Sequence, residues 1–334
     1  MKKALMILCV ALLGGAAMYA QQIAVVSPSG NTNVYQTLDE AINSASNGSV
    51  IYLPGGGFSI KDETKITKRL TLIGLTHKAN ADNADGNTRI SGNLNFDNGS
   101  DGSAVMGVYL TGNVNIGIGT DSVTNLTVKY CNVNSLQIKK SNCSGTLVNQ
   151  CYLRNTSDCN NANVVITNSI FHSIINVDGG TICHNVITSN IYRYYGQHYC
   201  CALLFVNNAS IMDNILLDPG SSDSSIHSGS NCQVYNNMLT RNWGENCIVV
   251  SSMNDALVDS SHGVSTASNF QLAGEDGKNA ASDGTDVGIY GGPNGDANFC
   301  EDAFPPIPRI ISKKIDEQTD GAGKLTMKIS VKAY

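Results

Sequence analysis

The chain is poor in charged residues, and this scarcity excludes several kinds of partner. Only 14% of its 334 residues are Asp, Glu, Lys or Arg, and the formal net charge is −6. Binding of nucleic acid depends on clustered Lys and Arg that neutralise phosphates. The composition therefore argues against a nucleic-acid partner. It also argues against a polyanionic glycan that is bound by the overall charge of the protein.

A second absence is a long apolar run beyond the N-terminus. No later stretch approaches the ~20 apolar residues that a membrane-spanning helix needs. At the N-terminus, Lys2 and Lys3 precede an apolar run over 4–13 and then small residues, which is the pattern of an export signal. The sequence predicts a signal peptide over 1–20, with cleavage after Ala20 or Ala17. We expect a soluble, monomeric chain that is secreted, periplasmic or on the outer cell surface.

Metal-binding spacings are also missing. No CxxC pair or Cys/His knuckle occurs, which argues against zinc. The histidines show no metal spacing either, and Asp213, Asp218 and Asp223 are too dispersed to predict a calcium site. We predict no cofactor and no metal, and calcium is the one ion left open.

The cysteines predict both disulfides and thiols. Ten remain once Cys9 of the export signal is removed, an even number in a chain that reaches an oxidising compartment. Cys143 and Cys159 are the best disulfide candidates. Cys131 and Cys151 occupy the same position of neighbouring repeats, and we expect them to stack as buried thiols.

The most informative feature present is a template repeated six times between Val128 and Leu239. Each copy has an apolar residue, two variable residues, a small turn-former, one variable residue and another apolar residue. Such a repeat predicts a solenoid, in which each coil buries its apolar face against the next. The turn-formers are Cys131, Cys151, Ser169, Asn185, Asn214 and Asn237; the apolar residues before them are Val128, Val148, Ile166, Ile182, Ile211 and Val234, and those after them are Val133, Leu153, Phe171, Ile187, Leu216 and Leu239.

The turn-former has a predicted conformation and a predicted contact. A tight bend between strands demands a left-handed or otherwise restricted backbone conformation, which Asn tolerates better than most non-glycine residues. We therefore expect the turn-former to adopt it. Stacked Asn side chains can also bond from coil to coil as a ladder.

The segments outside the template carry a resemblance to a known family. The stretch 37–56 predicts a helix with Thr37 as its N-cap, an Asn-Gly turn and a strand over 50–53, and "LTLIG" (70–74) predicts a second strand. Together these segments resemble the N-terminal cap and first coils of the pectate-lyase-like right-handed parallel β-helix proteins. The stretch 283–292 resembles the closing coil of secreted β-helix proteins from Bacteroidetes.

The resemblance and the repeat together predict an all-β fold. The expectation is a right-handed parallel β-helix over 21–303, with an N-terminal amphipathic capping helix. Residues 304–334 are predicted as a Pro-rich connector and a hairpin that pairs 311–315 with 324–331, serving either as a C-terminal cap or as an attachment tail.

Three irregular segments are where chemistry could lie: 191–201, 218–230 and 240–246. All three follow the strand after a turn-former, so we expect them to lie side by side as a wall of loops on a rigid scaffold. Aromatic rings with polar tips suit the faces and hydroxyls of sugars. The predicted glycan contacts are Tyr192, Tyr194, Tyr199, Arg241, Trp243 and Glu245; the competing interpretation is that these loops only shield the flank.

A catalytic interpretation is weaker. A polysaccharide lyase needs a base and a group that neutralises the uronate carboxylate. Tyr195 or His198 could be the base, and Arg193 or Arg241 could be the neutralising group. The polygalacturonase motifs that the resemblance would imply are missing. The leading hypothesis is therefore a glycan-contacting scaffold, and the alternatives are a polysaccharide lyase or hydrolase and a purely structural or adhesive surface protein.

Overall fold

The residues that the structure describes are mostly β-structure, with 44% of them in strands and 4% in helices. The computed structural model describes residues 22–79, 86–119, 122–155, 157–188, 191–194, 197–200, 203–217, 226–228, 230–240, 244–261, 264–292, 299, 304–315, 318–319, 322–324 and 326–332. The predicted signal peptide lies outside these residues.

Most strands fall into three parallel stacks, in which each strand pairs with the strand of the preceding repeat. Stack I contains β5 (Lys65–Ile66), β8 (Leu94–Phe96), β11 (Val114–Ile116), β14 (Leu136–Ile138), β23 (Leu203–Asn207) and β26 (Ile226–Ser228). Stack II contains β3 (Val50–Tyr52), β6 (Thr71–Ile73), β9 (Ala104–Met106), β12 (Thr127–Lys129), β15 (Thr146–Asn149), β24 (Ser210–Met212) and β27 (Gln233–Tyr235). The long strands β17 (Ser157–Thr167) and β19 (Ile174–Cys183) belong to both stacks.

Stack III forms a separate ten-stranded sheet. It contains β4 (Gly56–Ser59), β7 (Thr88–Ser91), β10 (Tyr109–Leu110), β13 (Asn132–Val133), β16 (Tyr152–Leu153), β18 (Ile170–Phe171), β20 (Val186–Ile187), β25 (Ile215–Leu216), β28 (Met238–Leu239) and β29 (Ile248–Val249). Each repeat passes through stack I, stack II and stack III in turn, so apolar side chains from all three stacks form one continuous core.

The predicted register of the template is confirmed residue by residue in stack II. Each apolar residue before a turn-former pairs with its counterpart in the next repeat, so the six of them form one column. Val128 and Ile182 in this column are buried to 1% exposure or less. A one-residue slip would turn every such side chain outward, and this explains why the apolar pattern was enough to predict the pairing.

The turn-formers do form a ladder, but of the two backbone conformations that we allowed for them, the left-handed one falls on the preceding residue instead. The residue before each turn-former has the positive φ: Tyr130, Gln150, Asn168, His184, Asp213 and Asn236, with φ between 45° and 59°. The turn-former that follows points inward, because the bend is complete one residue earlier. Asn185 and Asn214 each donate an amide N–H to the amide oxygen of the next turn-former at 2.9 Å, and all six turn-formers are fully buried.

The cysteine prediction is half right. Cys131 and Cys151 stack as buried thiols, and the Cys131 backbone N–H donates to Cys151 Sγ at 3.5 Å. Burial and the neighbouring Cys131 thiol raise the pKa of Cys151. The predicted disulfide is absent, because Cys143 and Cys159 are both free and buried. Each fills a core position as a small apolar side chain.

The N-terminal elements follow their sequence signals. Helix α1 (Leu38–Ser44) begins after Thr37, whose Oγ1 accepts the Glu40 backbone N–H at 3.2 Å, and it buries Leu38, Ala41 and Ile42. Strand β1 (Ile23–Val26) pairs antiparallel with both β2 (Thr32–Tyr35) and β3. The first parallel strand therefore has an antiparallel neighbour instead of an open edge.

After the last repeat come helix α2 (Met253–Ala256) and the antiparallel pair β30 (Leu257–Asp259) and β31 (Asn269–Leu272). The segment 277–292, which we call the strap, then lies against the left-handed bends. The stretch 283–292 was predicted as a closing coil, but it forms no strand. Asn168 Nδ2 donates to the backbone oxygens of Ile289 at 3.0 Å and Gly291 at 2.8 Å. The left-handed bends thus hold the strap in place.

The predicted C-terminal hairpin is confirmed as an antiparallel pair, β32 (Arg309–Ile315) with β33 (Met327–Lys332). All six residues of β33 are exposed, including Met327, Ile329 and Val331 at 49–59%. No helix in the described part of the chain is long and apolar enough to cross a bilayer.

Candidate functional site

The corner between stack III and stack I carries the two largest insertions. Early repeats cross this corner in two or three residues, as between β18 and β19. The chain instead leaves the corner for a long excursion after Ile187, and again after Leu216. Ile187 and Leu216 are register partners, and the returns at Leu203 and Ile226 are register partners as well. The prediction that these two loops lie side by side is therefore confirmed for their points of exit and return.

The first excursion is a β-hairpin of β21 (Ile191–Tyr194) and β22 (Gln197–Cys200). Its antiparallel register places Tyr192 opposite Tyr199 and Arg193 opposite His198. The predicted neutralising group and one predicted base therefore occupy facing backbone positions. Tyr194 lies opposite Gln197, whereas Tyr195 lies outside the described residues.

The third irregular segment leaves the scaffold in register with the second, because Met238 pairs with Ile215, but it does not make a long excursion. Met238 pairs with Ile248 across only ten residues, so this part of the chain is a short final repeat. Glu245 is exposed and pairs with Tyr235 at the end of stack II, and its backbone N–H donates to the Val234 oxygen at 2.9 Å. This position is away from the corner of the hairpin. Arg241 and Trp243 lie outside the described residues.

The same corner carries a ladder of partly exposed amides in the earlier repeats. Asn93, Asn113, Asn134 and Asn155 occupy it in successive repeats. Asn134 Nδ2 donates to Asn113 Oδ1 at 2.8 Å, and Asn155 Nδ2 donates to Asn134 Oδ1 at 2.6 Å. The Asn113 backbone N–H donates to Asn93 Oδ1 at 2.8 Å. We call these four residues the surface ladder.

A second polar row runs beside the surface ladder on the outward face of stack I. Asn95, Asn115, Gln137 and Asp158 are register partners in successive strands. Asn115 Nδ2 donates to Asn95 Oδ1 at 2.8 Å, and Gln137 Nε2 donates to Ser135 Oγ at 3.1 Å. The two rows together form a polar strip along the scaffold. It ends at Asn155 and Asp158, and the repeat that contains β19 separates it from the hairpin of β21 and β22. We call it the amide strip.

Sequence reasoning missed the amide strip, although the sequence contains its signal. The Gly-Asn pairs at 92–93 and 112–113 are typical of turns, and a turn alone does not indicate a ladder. Asn134 and Asn155 continue the same spacing of about one repeat, so the four could have been aligned. They were not aligned because the corner between stack III and stack I has no apolar pattern, and the Asn is the only residue that recurs there in the four repeats.

The most buried ionisable cluster lies beneath the strap. His184 Nε2 is 3.6 Å from Asp213 Oδ2 and 3.4 Å from Asp283 Oδ2. Asp213 also accepts the backbone N–H of Ser282 at 2.7 Å and its hydroxyl at 2.6 Å. Burial raises the pKa of Asp283, but hydrogen bonds from Thr285 and the nearby His184 outweigh it, so the pKa is lowered overall.

This cluster is best explained as a fastening for the strap. Asp213 and His184 are both left-handed bend residues, and Asp213 is only 1% exposed. A Cβ placed on Gly291 would stand 2.8 Å from His184 Nδ1, so strap backbone closes over the ring. The part of the chain that the structure describes contains no group of three or more His, Cys, Asp or Glu residues placed to hold a metal ion.

Comparison with known proteins adds no name to these features. No family model, no curated protein and no solved structure matches the chain.

Proposed function

We propose that the chain is an exported right-handed parallel β-helix scaffold that contacts glycans at the corner between stack III and stack I. In this proposal the parallel stacks are the walls of the β-helix. Helix α1 covers its first coil, and the C-terminal hairpin is its cap or attachment tail. The protein acts as a monomer that is secreted, periplasmic or held at the outer cell surface.

One observation carries the proposal: two long excursions leave and re-enter the scaffold at adjacent register positions. A rigid scaffold that places two loops side by side favours binding by those loops. The first loop brings Tyr192 opposite Tyr199, and tyrosine suits a sugar because it offers an apolar face and a polar tip.

A second candidate function is a polysaccharide lyase at the same corner. The observation in its favour is the position of Arg193 opposite His198. In a lyase, His198 would remove the proton beside a uronate carboxylate, with Tyr195 as the other candidate base. Arg193 would neutralise that carboxylate and so stabilise the developing charge.

The test is incubation of the exported chain with uncharged and uronate-containing polysaccharides, with and without calcium. Binding is measured on a glycan array, and turnover by the ultraviolet absorbance of unsaturated product and by new reducing ends. Binding without turnover is the result that the scaffold proposal predicts. Turnover that is lost in His198→Ala and Arg193→Ala variants would establish the lyase instead. If the chain shows neither binding nor turnover, a structural surface protein is the remaining interpretation.

A further inference from the structure

The amide strip repeats the same chemical group at a fixed interval. Adjacent strands lie about 4.8 Å apart, so the surface ladder presents one amide per repeat at about that spacing. We infer that the amide strip binds an extended, uncharged, hydroxyl-rich glycan that lies along the direction in which the strands stack. This inference rests on the proposed glycan-contacting function, and it gives that function a surface and a substrate class.

Each amide keeps hydrogen-bonding capacity for a ligand. An Asn side chain has two N–H donors and an oxygen with two lone pairs. Asn134 uses one N–H on Asn113 and accepts one from Asn155. Among the described residues, its other N–H and its other lone pair have no partner. A sugar hydroxyl also donates and accepts, so the two sets of groups are complementary.

The ladder bonds also hold the amides ready for binding. Side chains that are fixed before binding lose little rotamer freedom when the ligand arrives. Gly112 contributes to this order, because a Cβ there would stand 2.5 Å from Asn93 Oδ1 and 2.2 Å from the Gly92 oxygen. The absence of a side chain at Gly112 lets Asn113 approach Asn93 closely enough for their hydrogen bond.

The charges around the strip favour an uncharged ligand. Asp62 accepts from Asn93 Nδ2 at 3.3 Å at one end, and Asp158 lies in register beyond Gln137 at the other. Lys65, the register partner of Asn95, is paired with Asp97 at 3.0 Å.

Two further cations lie near the strip. Lys139 Nζ donates to Gln137 Oε1 at 3.4 Å, whereas Arg154 points away from the strip. The Arg154 guanidinium lies over the Tyr109 ring at 4.6 Å and donates to Asn132 Oδ1 at 2.7 Å. With carboxylates at both ends of the strip and this guanidinium turned toward stack III, a polyanion would meet repulsion at both ends.

The backbone of the strip is not available to a peptide ligand. An extended peptide binds by adding a strand to an open sheet edge. The strands β8, β11 and β14 each pair with their neighbours on both sides. Side-chain amides are therefore what this face offers, and they suit hydroxyl groups along a polymer.

The experiment measures binding of the full exported chain to a linear β-1,4-linked glucose hexamer and to a galacturonate hexamer by isothermal titration. Two variants remove ladder amides, Asn134→Ala and Asn155→Ala. A third, Asn115→Arg, adds bulk to the second row. The matched control is Gln233→Ala, which removes an exposed amide from stack II, where Ser210 Oγ lies 3.5 Å from Gln233 Oε1. Thermal unfolding of each variant establishes that it is folded.

We expect the glucose hexamer to bind the unmodified chain. Its affinity should fall about tenfold or more in the strip variants and should be unchanged in the Gln233→Ala control. If binding survives in all strip variants but is lost in Tyr192→Ala, the corner loops bind glycan and the strip inference is overturned. Binding of the galacturonate hexamer alone also overturns it while leaving the proposed function in place. No binding of any glycan overturns both.

Discussion

The protein contains two ladders of asparagine side chains at the same spacing, one buried and one partly exposed to solvent. In the buried ladder, Asn185, Asn214 and Asn237 are 0% exposed and bond from repeat to repeat at 2.9 Å. In the surface ladder, Asn134 and Asn155 bond in the same way at a corner that faces solvent. The comparison teaches that solvent access, rather than residue type, separates a structural amide from one that is available to a ligand.

The two ladders also differ in how fully their amides are used. Asn214 Nδ2 donates both to Asn237 Oδ1 and to the Ile182 backbone oxygen at 2.8 Å, and its Oδ1 accepts from both nitrogens of Asn185. No capacity is left for water, as a buried polar group requires. The surface amides make fewer bonds because water, or a ligand, completes them.

The largest expected effect lies in the core directly behind the buried ladder. Ile182→Asp places an unpaired charge at a fully buried position of the stack II column. We expect a loss of about 4 kcal/mol or more in the free energy of unfolding, because neither water nor a cation can compensate the charge there. Thermal unfolding followed by circular dichroism measures it, and an unchanged melting temperature would contradict the register.

Asn214→Ala tests the buried ladder itself and should have the next largest effect. It removes the partners that Asn214 supplies to the Ile182 backbone oxygen and to the Asn185 backbone N–H, in a site that excludes water. We expect a loss of about 3 kcal/mol, since each unsatisfied buried group costs about 1–3 kcal/mol. Chemical denaturation measures this loss. A change below about 0.5 kcal/mol, the range of a neutral surface substitution, would mean that the buried ladder does not stabilise the fold.

Asn168→Gly tests the bend residues that stand beside the buried ladder. Glycine keeps the left-handed backbone at φ 45° but removes both hydrogen bonds to the strap. We expect a loss of about 1–2 kcal/mol, together with faster proteolysis between 277 and 292. A strap that is cleaved no faster than in the unmodified protein would show that other contacts hold it.

Asn134→Ala should have the smallest effect on stability. The side chain is partly exposed, and water can replace the bonds to Asn113 and Asn155. We expect a change within about 0.5 kcal/mol, measured by thermal unfolding beside the Gln233→Ala control. A loss as large as that of Asn214→Ala would remove the distinction between the two ladders.

The apolar pattern predicted the stacking but not the position of the bend. The spacing of Val128, Val148 and Ile166 was sufficient for the register, because only one pairing keeps all three inward. The left-handed residues vary from Tyr130 to His184, so they carry no recurring residue type that a template could detect. Their shared feature is a backbone conformation, which became visible only in the structure.

The candidate site was only partly predictable for a related reason. The corner loops were visible as interruptions of the repeat, and the spacing predicted that all three leave the scaffold at equivalent points. The short final repeat that carries Glu245 could not be distinguished from an insertion, because its register with Tyr235 depends on three-dimensional pairing. The strap was also hidden, since its contacts to Asn168 and Asp213 join residues far apart in the chain.

The most direct test of the central claim compares Asn214→Ala with Asn134→Ala in two assays, thermal unfolding and binding of the glucose hexamer. We expect opposite outcomes for the two variants. Asn214→Ala should lower the melting temperature strongly, and at temperatures where it stays folded it should bind the hexamer normally. Asn134→Ala should have the melting temperature of the unmodified protein but should no longer bind the hexamer with the same affinity. Two variants that behave alike in both assays would contradict the claim that exposure separates the structural ladder from the binding one.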